Sequence, residues 1–330
     1  MFIEGKLLER PLRWAMVGGG KGSQIGHSHR DAAKRDGLMS LVAGAFDVDA
    51  ARGREFGVSL GVAAERCYAD YKAMFAAEAK RADGIEVVSI ATPNSSHFEI
   101  CRAALEAGLH VICEKPLTID EAEAETLRDL AKARGRVLAV MYGYTGYEMV
   151  QQARAMVQKG ELGEVRIVQM QFAHGYHPVD VESKDPGTKW RVTPASSGPT
   201  YVIGDLGTHC FQMGSLMAGL KVDSLSCLRR SFVASRAPLE DDAHVMIRYQ
   251  GNAVGTLWAS AVNIGSAHGI KVRVVGSKGS VEWWDEQPNQ LKVAFAGQPE
   301  MTYERGHGYL DASARFERVG GGHPAGYFDA

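Results

Sequence analysis

Along the first half of the chain, short apolar runs alternate with amphipathic stretches of helical length. The apolar runs predict strands at Trp14–Val17, Leu41–Phe46, Ile85–Ala91, Val111–Cys113 and Val137–Tyr142. The amphipathic stretches predict helices at His27–Asp36, Tyr71–Lys80, Phe98–Ala107 and from a capping box at Thr118 to about Ala133. Such repeated alternation indicates a parallel, doubly wound sheet.

The second half of the chain has a different pattern. It predicts helices at Glu148–Gln158 and Gly204–Ala218, a strand at Val165–Phe172 and a long loop over Ser183–Gly198. Later strands are predicted at Ala243–Tyr249, Val254–Val262, Ile270–Val275 and Ser280–Trp284. Short turns between neighbouring strands force antiparallel pairing. We therefore predict an α/β chain of two domains, residues 1–147 and 148–330.

A glycine-rich turn follows the first predicted strand. Gly18 and Gly20 match a dinucleotide-binding motif, and the third glycine fits best as Gly26, after three extra residues. Glycine allows a close approach to a pyrophosphate, whose charge is met by N–H groups at the helix start. An ordinary flexible turn is the alternative, but the surrounding strands and helix favour cofactor binding.

Asp47 follows the second predicted strand, where a carboxylate accepts hydrogen bonds from the adenosine ribose. The next residue is Val48 and not arginine, so nothing adjacent offsets repulsion of a 2′-phosphate. The sequence therefore favours NAD over NADP.

Two other polar segments follow strands whose carboxyl ends share an edge of the sheet with the glycine turn. The first is Thr92-Pro93-Asn94, with His97 opening the next helix, and the second is Glu114-Lys115-Pro116. Lysine is costly to bury, so Lys115 at a strand end indicates binding or chemistry. A solvated strand end is the alternative.

These segments resemble motifs of the glucose-fructose oxidoreductase and inositol dehydrogenase (Gfo/Idh/MocA) family of NAD(P)-dependent sugar and polyol oxidoreductases. The resemblance continues through Lys159–Gly163, Trp190-Arg191 and Gly204–His209, and it covers nearly the whole chain. It implies a Rossmann domain followed by an α+β domain with a large, open, mostly antiparallel sheet. That second domain would supply the substrate site and the contacts of a homodimer or homotetramer.

The resemblance also implies roles for individual residues. Lys115 would contact nicotinamide and substrate, with a cis bond possible before Pro116, and Asp205 and His209 would face it from the second domain. We expect the cofactor to contact Gly18, Gly20, Gly26, Asp47, Thr92, Pro93, Asn94, His97, Glu114, Lys115 and Pro116. We expect the substrate to contact Lys115, Tyr144, Trp190, Arg191, Asp205 and His209.

Three features depart from the family pattern. The glycine turn carries an insertion, and Tyr142–Tyr147 replaces a common Asn-x-Arg segment. These two leave the cofactor geometry and the substrate identity open. The chain stops at Ala330, where relatives usually continue, so we expect a truncated carboxyl end.

Oxidation of an alcohol by nicotinamide requires a base that removes the hydroxyl proton. His209 is the better candidate because its ordinary pKa lies near neutrality, and Lys115 is the other. Asp205 can orient the imidazole or accept a substrate hydroxyl, and a charged Lys115 stabilises the alkoxide. An exposed i,i+4 pair is the alternative for Asp205 and His209. We take the flanking glycines, 204 and 207, to indicate a close backbone approach instead.

Other histidines and tyrosines leave several interpretations open. His27 and His29, or His174 and His177 with Asp180, suggest a metal site, but a closed set of four ligands is lacking. We predict no metal, and we assign His174 and His177 to loop polarity or substrate binding. Three tyrosines either contact sugar hydroxyls or pack the domain junction, and the sequence does not separate these roles: Tyr142, Tyr144 and Tyr147.

Composition narrows the class of protein. A formal charge of −2 over 330 residues, with scattered basic residues, argues against nucleic-acid and anionic-membrane partners. Five cysteines without a CxxC motif indicate reduced core residues. Neither a signal-peptide core nor a membrane-length apolar run is present, so we expect a cytoplasmic protein.

The leading hypothesis is an NAD-dependent dehydrogenase that acts on a secondary hydroxyl of a sugar, glycoside or cyclic polyol. One alternative is a non-catalytic NAD- or sugar-sensing regulator, which the presence of Lys115, Asp205 and His209 disfavours. Another is a glycosidase that retains its NAD and cleaves a glycosidic bond through redox steps.

Overall fold

The computed structural model describes residues 8–35, 37–314, 320–323 and 325–330, with Pro186 described by its backbone alone. Asp36, the predicted end of the first helix, lies outside these ranges. The chain forms two compact units, which meet in sequence between Met141 and Tyr142. The sequence prediction ended the first domain later, at Tyr147, and the domain ranges stay a prediction.

The first unit is built around a five-stranded parallel sheet of order β2-β1-β3-β4-β5. Its strands are β1 (Leu12–Gly18), β2 (Met39–Ala45), β3 (Val87–Ala91), β4 (His110–Glu114) and β5 (Leu138–Met141). Its helices are α1 (Gln24–Arg35), α2 (Ala50–Ser59), α3 (Tyr71–Glu78), α4 (His97–Glu106) and α5 (Glu121–Arg134). The strand order reverses between β1 and β3, so the predicted doubly wound sheet is confirmed. Ligands bind at the carboxyl ends of strands beside such a reversal.

Local sequence signals explain most boundaries in this unit. Asp120 accepts hydrogen bonds from two N–H groups of the first turn of α5, and Gly135 ends that helix in the left-handed conformation. The sequence missed α2, although Asp49 caps its start. The reason is that Gly53 and Gly57 replace apolar residues on its buried face, where the helix packs closely.

The second unit contains an eight-stranded sheet of order β13-β12-β11-β10-β6-β9-β8-β7. Its strands are β6 (Val165–Ala173), β7 (Val222–Arg230), β8 (Asp242–Tyr249), β9 (Val254–Ser260), β10 (Ile270–Gly276), β11 (Gly279–Trp284), β12 (Gln290–Phe295) and β13 (Met301–Glu304). Every neighbouring pair is antiparallel except β6 and β9. The predicted mostly antiparallel sheet is therefore confirmed.

The second unit also contains helices. They are α6 (Glu148–Gln158), α7 (Pro186–Lys189), α8 (Pro194–Ser197) and α9 (Thr208–Ala218). Contacts of α6 and α9 with the sheet bury a core that includes Met149, Met213 and Trp283. The opposite face leaves large apolar side chains exposed, among them Ile167, Leu228, Met246 and Val254.

Two predictions for the second unit are wrong in detail. The predicted loop Ser183–Gly198 contains three short helical segments, because Asp185 caps the first and proline begins α7 and α8. The predicted helix Gly204–Ala218 begins as a π-helical turn, Ile203–Gly207, and becomes α-helical only at Thr208.

No helix within residues 8–35, 37–314, 320–323 and 325–330 is both long and apolar enough to cross a bilayer.

Candidate active site

The glycine turn leaves no room for side chains at three of its positions. A Cβ on Gly18 would lie 2.6 Å from the Ala91 oxygen, and one on Gly20 would lie 2.5 Å from the Phe46 oxygen. A Cβ on Gly26 would lie 2.5 Å from Cα of Gly19, so α1 packs directly on the turn. This contact explains why the third glycine comes late: the turn is longer, but the helix still has to approach it.

Asp47 lies beside this turn, since a Cβ on Gly20 would come within 3.6 Å of its Oδ2. Both carboxylate oxygens accept hydrogen bonds from Arg52, from Nη2 at 2.6 Å and from Nε at 2.7 Å. This pairing lowers the pKa of Asp47 to about 2. The premise that no cation lies next to Asp47 is therefore wrong, because the first turn of α2 brings Arg52 back to it.

Lys115 ends the strand β4 in a partly buried position, and its bond to Pro116 is cis, as the resemblance implied. The preceding Glu114 is buried: its Oε1 lies 2.9 Å from Nε2 of His29, and its Oε2 accepts the Lys115 N–H at 3.2 Å. His29 lies on α1, directly after the glycine turn. Glu114 thus links that helix to the strand end that carries Lys115.

His97 is fully buried and joins the two strand-end segments. Its Nδ1 lies 2.8 Å from the Pro116 oxygen and its Nε2 lies 2.9 Å from the Thr92 oxygen. Burial lowers the pKa of His97 and so favours the neutral ring, which carries one N–H for two carbonyls. Both ring nitrogens of His97 face backbone carbonyls of the first unit, so the ring supports Thr92 and Pro116. Its contact with the cofactor stays a prediction.

In the second unit, His209 lies within a cluster of aromatic and imidazole rings. We define the ring cluster as Tyr142, Tyr144, Phe172, His174, His209 and His268. The His209 centroid lies 4.9 Å from that of Tyr144 and 5.7 Å from that of Tyr142, both edge-on. The surroundings of His209 are therefore apolar rings with a few hydroxyl and imidazole groups.

Asp205 lies in the π-helical turn before α9 and pairs with Arg191, Nε to Oδ2 at 3.3 Å. The Arg191 guanidinium lies 4.7 Å from the Trp190 ring centroid. The charge of Asp205 contributes to raising the pKa of Tyr144, after the larger effect of burial. The structure thus brings the predicted residues Trp190, Arg191 and Asp205 together, and the charges of Arg191 and Asp205 act on His174 of the ring cluster.

The glycines around Asp205 do not have the role we inferred for them. A Cβ on Gly207 would meet its nearest neighbours at 3.6 Å, an ordinary contact, and one on Gly204 would meet the Thr200 hydroxyl at 2.7 Å. Close backbone approach is therefore not required at Gly207. The α-helical i,i+4 spacing of Asp205 and His209 was also wrong, since a π turn intervenes; such turns are frequent at functional sites.

The other candidate histidines have protein partners. His174 is buried and stacks on Tyr176 at 4.7 Å, and burial lowers its pKa to about 4. Nδ1 of His177 lies 2.6 Å from the Tyr201 hydroxyl. Among the described residues, no group of three or more His, Cys, Asp and Glu side chains is placed to hold a metal ion.

Comparison with known proteins identifies the family. Residues 12–142 match the model of an oxidoreductase family with an NAD-binding Rossmann fold, and residues 150–282 match the GFO/IDH/MocA C-terminal domain. The chain belongs to the Gfo/Idh/MocA oxidoreductase family. Its first unit is accordingly an NAD-binding Rossmann domain, which confirms the predicted fold, enzyme class and cofactor.

Relatives of this Gfo/Idh/MocA chain match it over its whole length. The uncharacterized oxidoreductase YfiI of Bacillus subtilis is 52% identical over 100% of this chain and 85% of its own. An inositol dehydrogenase homologue from Azotobacter vinelandii, solved with NAD⁺, is 56% identical with a TM-score of 0.97, covering 100% of this chain and 85% of that one. The homologue from the same organism solved with NADH and myo-inositol is 57% identical, with a TM-score of 0.92 and coverage of 97% and 83%.

Sequence reasoning missed three charged or polar groups at these positions: Arg52, His268 and Asp285. The partner of Asp47 could have been found from the Asp49 cap, which starts a helix with Arg52 in its first turn. His268 and Asp285 follow from the β10–β11 hairpin. The predicted turn fixes Val275 opposite Ser280, and the same register places Asp285 beside Ile270.

Proposed function

We propose that this enzyme oxidises a secondary hydroxyl of a cyclic polyol, with inositols as the first class to test, and transfers the hydride to NAD. The observation that carries the proposal is the 57% identical homologue solved with NADH and myo-inositol. The ring cluster supports it, because aromatic faces and a few hydroxyl and imidazole groups suit a ring that carries hydroxyls.

The residues of the first unit fit NAD. The glycine turn presents backbone without side chains at Gly18, Gly20 and Gly26. Asp47 is ionised and stands beside Gly20, so it would accept hydrogen bonds from the adenosine ribose hydroxyls. When bound, NAD supplies the hydride acceptor. The same set also includes the strand-end residues Thr92, Pro93, Asn94, Glu114, Lys115 and Pro116, which remain proposed contacts.

We assign the proton chemistry to His209 and Lys115. His209 takes the hydroxyl proton of the substrate, since imidazole is the side chain type best suited to act as a base at neutral pH. The Lys115 ammonium stabilises the negative charge that develops on the substrate oxygen. Asp205, held by Arg191, accepts a hydrogen bond from a neighbouring substrate hydroxyl. Tyr144 and Trp190 line the bound ring of the polyol.

The test is a dehydrogenase screen over inositols, monosaccharides and anhydrosugars with NAD and NADP. We expect NADH formation with a cyclic polyol. His209→Asn and Lys115→Ala should each lower kcat by about 10²–10⁴ without loss of fold. Two exposed residues give matched controls: Lys132→Ala on α5 for Lys115→Ala, and His307→Asn for His209→Asn.

The same screen separates the proposal from its alternatives. NADH formation that is unchanged in both His209→Asn and Lys115→Ala would remove the assigned mechanism. Binding of polyol without turnover would indicate a sensor. Release of free sugar from a glycoside without net NADH would indicate a redox glycosidase.

We also propose that the enzyme self-associates through the open face of the eight-stranded sheet. Ile167, Leu228, Met246 and Val254 are exposed on the face that α6 and α9 leave uncovered. Exposed apolar patches of this kind mark association surfaces. A cytoplasmic location remains a proposal too, and it agrees with the five cysteines, all described and all free thiols.

A further inference from the structure

His268 of the ring cluster forms an imidazole–carboxylate pair with Asp285. His268 lies in the turn before β10, and Asp285 follows β11 directly. The Asp285 Oδ2 accepts a hydrogen bond from His268 Nδ1, and its Oδ1 accepts the Ile270 N–H at 2.9 Å. The Asp285 side chain is 6% exposed, so the carboxylate is held in place from two directions.

The other ring nitrogen of His268 faces Tyr144. Nε2 of His268 lies 3.3 Å from the Tyr144 hydroxyl. Tyr144 also packs edge-on against His209, with the ring centroids 4.9 Å apart. Tyr144 thus contacts the His268–Asp285 pair through its hydroxyl and the proposed base, His209, through its ring.

With a neutral His268 ring, the chemistry of these groups assigns one position to each proton. A carboxylate can only accept, so Nδ1 of His268 carries the proton that Asp285 receives. In the neutral imidazole, Nε2 is then an acceptor, and the Tyr144 O–H donates to it. Burial raises the pKa of Tyr144, so its hydroxyl keeps the proton that this hydrogen bond requires. The Tyr144 oxygen can also accept a hydrogen bond through its lone pairs.

We propose that Asp285 and His268 are positioning residues that set the Tyr144 hydroxyl as a hydrogen-bond acceptor for one hydroxyl of the substrate. The inference rests on the proposed function, because Tyr144 acts here on the same substrate as His209. It goes beyond that function by predicting the direction of a hydrogen bond. The enzyme should prefer substrates that carry a donating hydroxyl at the position facing Tyr144.

Replacing Asp285 by asparagine reverses the direction of the hydrogen bonds that link residue 285, His268 and Tyr144. The shape of the side chain at position 285 stays nearly the same. The amide NH₂ donates to Nδ1 of His268, so the ring proton moves to Nε2. Nε2 then donates to the Tyr144 oxygen, and the phenolic hydrogen turns away from His268. Tyr144 becomes a donor toward the substrate, so the substrate hydroxyl has to rotate and accept this hydrogen bond instead of donating one.

The kinetic test uses myo-inositol and its monodeoxy analogues with NAD. In the native enzyme, one monodeoxy analogue should show a KM about 10- to 100-fold above that of myo-inositol. Tyr144→Phe should raise the KM for myo-inositol by about the same factor, with a smaller change in kcat, and abolish discrimination against that analogue. Asp285→Asn should raise this KM by a smaller factor, because the rotated substrate hydroxyl can still accept a hydrogen bond from Tyr144. Glu286→Gln is the control, since this exposed neighbour accepts the His268 backbone N–H and its amide oxygen still can.

A spectroscopic test is independent of turnover. Ring ¹⁵N shifts of imidazole-labelled enzyme, with the His268 signal assigned from His268→Asn, should show the Nδ1–H form in the native protein. They should show the Nε2–H form in Asp285→Asn. An Nε2–H form in the native enzyme, or unchanged substrate discrimination in both Tyr144→Phe and Asp285→Asn, overturns the inference.

The outcomes also separate this inference from the proposed function. If the native enzyme does not oxidise polyols, the function fails, and the ¹⁵N shifts still decide whether the proton chain exists. If the native enzyme oxidises polyols but the KM values of the variants are unaltered, the inference is wrong and the proposed function stands. A loss of thermal stability in Asp285→Asn, with kinetics unchanged below the unfolding temperature, shows a merely structural role and also overturns it.

Discussion

Replacing Asp47 by serine should shift the cofactor preference of this enzyme from NAD toward NADP. A hydrogen bond from a ribose hydroxyl to a charged carboxylate contributes about 1.5–3 kcal/mol. Its loss therefore weakens the binding of NAD by about 10- to 150-fold. A carboxylate and a phosphate charge about 4 Å apart repel by about 1 kcal/mol in water and about 4 kcal/mol at an effective dielectric constant of 20. With the Asp47 side chain 17% exposed, the repulsion lies between these limits.

The structure adds a second contribution from Arg52. In the native protein this guanidinium is bound to both oxygens of Asp47. Without the carboxylate, it is available to a 2′-phosphate, where a charge-assisted hydrogen bond again contributes about 1.5–3 kcal/mol. Together, these effects amount to about 4–10 kcal/mol, so they should lower the ratio of kcat/KM for NAD to that for NADP by about 10³ or more.

The assay measures initial rates with each dinucleotide varied at saturating polyol and low ionic strength. The double variant Asp47→Ser with Arg52→Ala should lose the part of the NADP gain that comes from Arg52 and keep the loss for NAD. Asp129→Ser is the matched control, because Asp129 forms a similar exposed pair with Arg128 on α5. An unchanged NAD-to-NADP ratio in Asp47→Ser would refute the assignment of Asp47 to the ribose.

Three other substitutions test burial, helix packing and the open sheet face. His174 has its pKa lowered from 6.5 to about 4, so between these values the unfolded chain binds a proton that the native chain does not. The free energy of unfolding should therefore fall by up to about 3 kcal/mol as pH falls through this window. His174→Gln should reduce this pH dependence when both proteins are unfolded with a chemical denaturant. The same pH dependence in the variant and the native protein would contradict the prediction. Gly26→Ala forces a Cβ against the Gly19 backbone, which should cost about 1–3 kcal/mol and raise the KM for NAD, and an unaltered KM would show that α1 does not need this approach. Met246→Asp should reduce the oligomer to monomer in sedimentation velocity, whereas Val179→Asp, exposed elsewhere, should not; a native mass for Met246→Asp would rule out this face.

The sequence alone determined the features that depend on local pattern. Apart from the start of α9, the strand and helix boundaries that it predicted lie within three residues of those observed, because buried strands and amphipathic helices have distinct periods. Glycines of the nucleotide turn and the Glu114-Lys115-Pro116 segment were recognised because each lies at a strand end whose position follows from that pattern. Strand β7 escaped prediction, since nearly all its residues are exposed and no face of it repeats as apolar.

Only the tertiary structure decided which side chains act together. Arg52 reaches Asp47, His29 reaches Glu114, and both nitrogens of His97 turn inward. The pairing of His268 with Asp285 depends on the register of a hairpin, and its link to Tyr144 joins residues 124 positions apart. Hydropathy patterns report whether a position is buried, but hydrogen-bond partners are set by distances of a few ångströms that only the folded chain fixes.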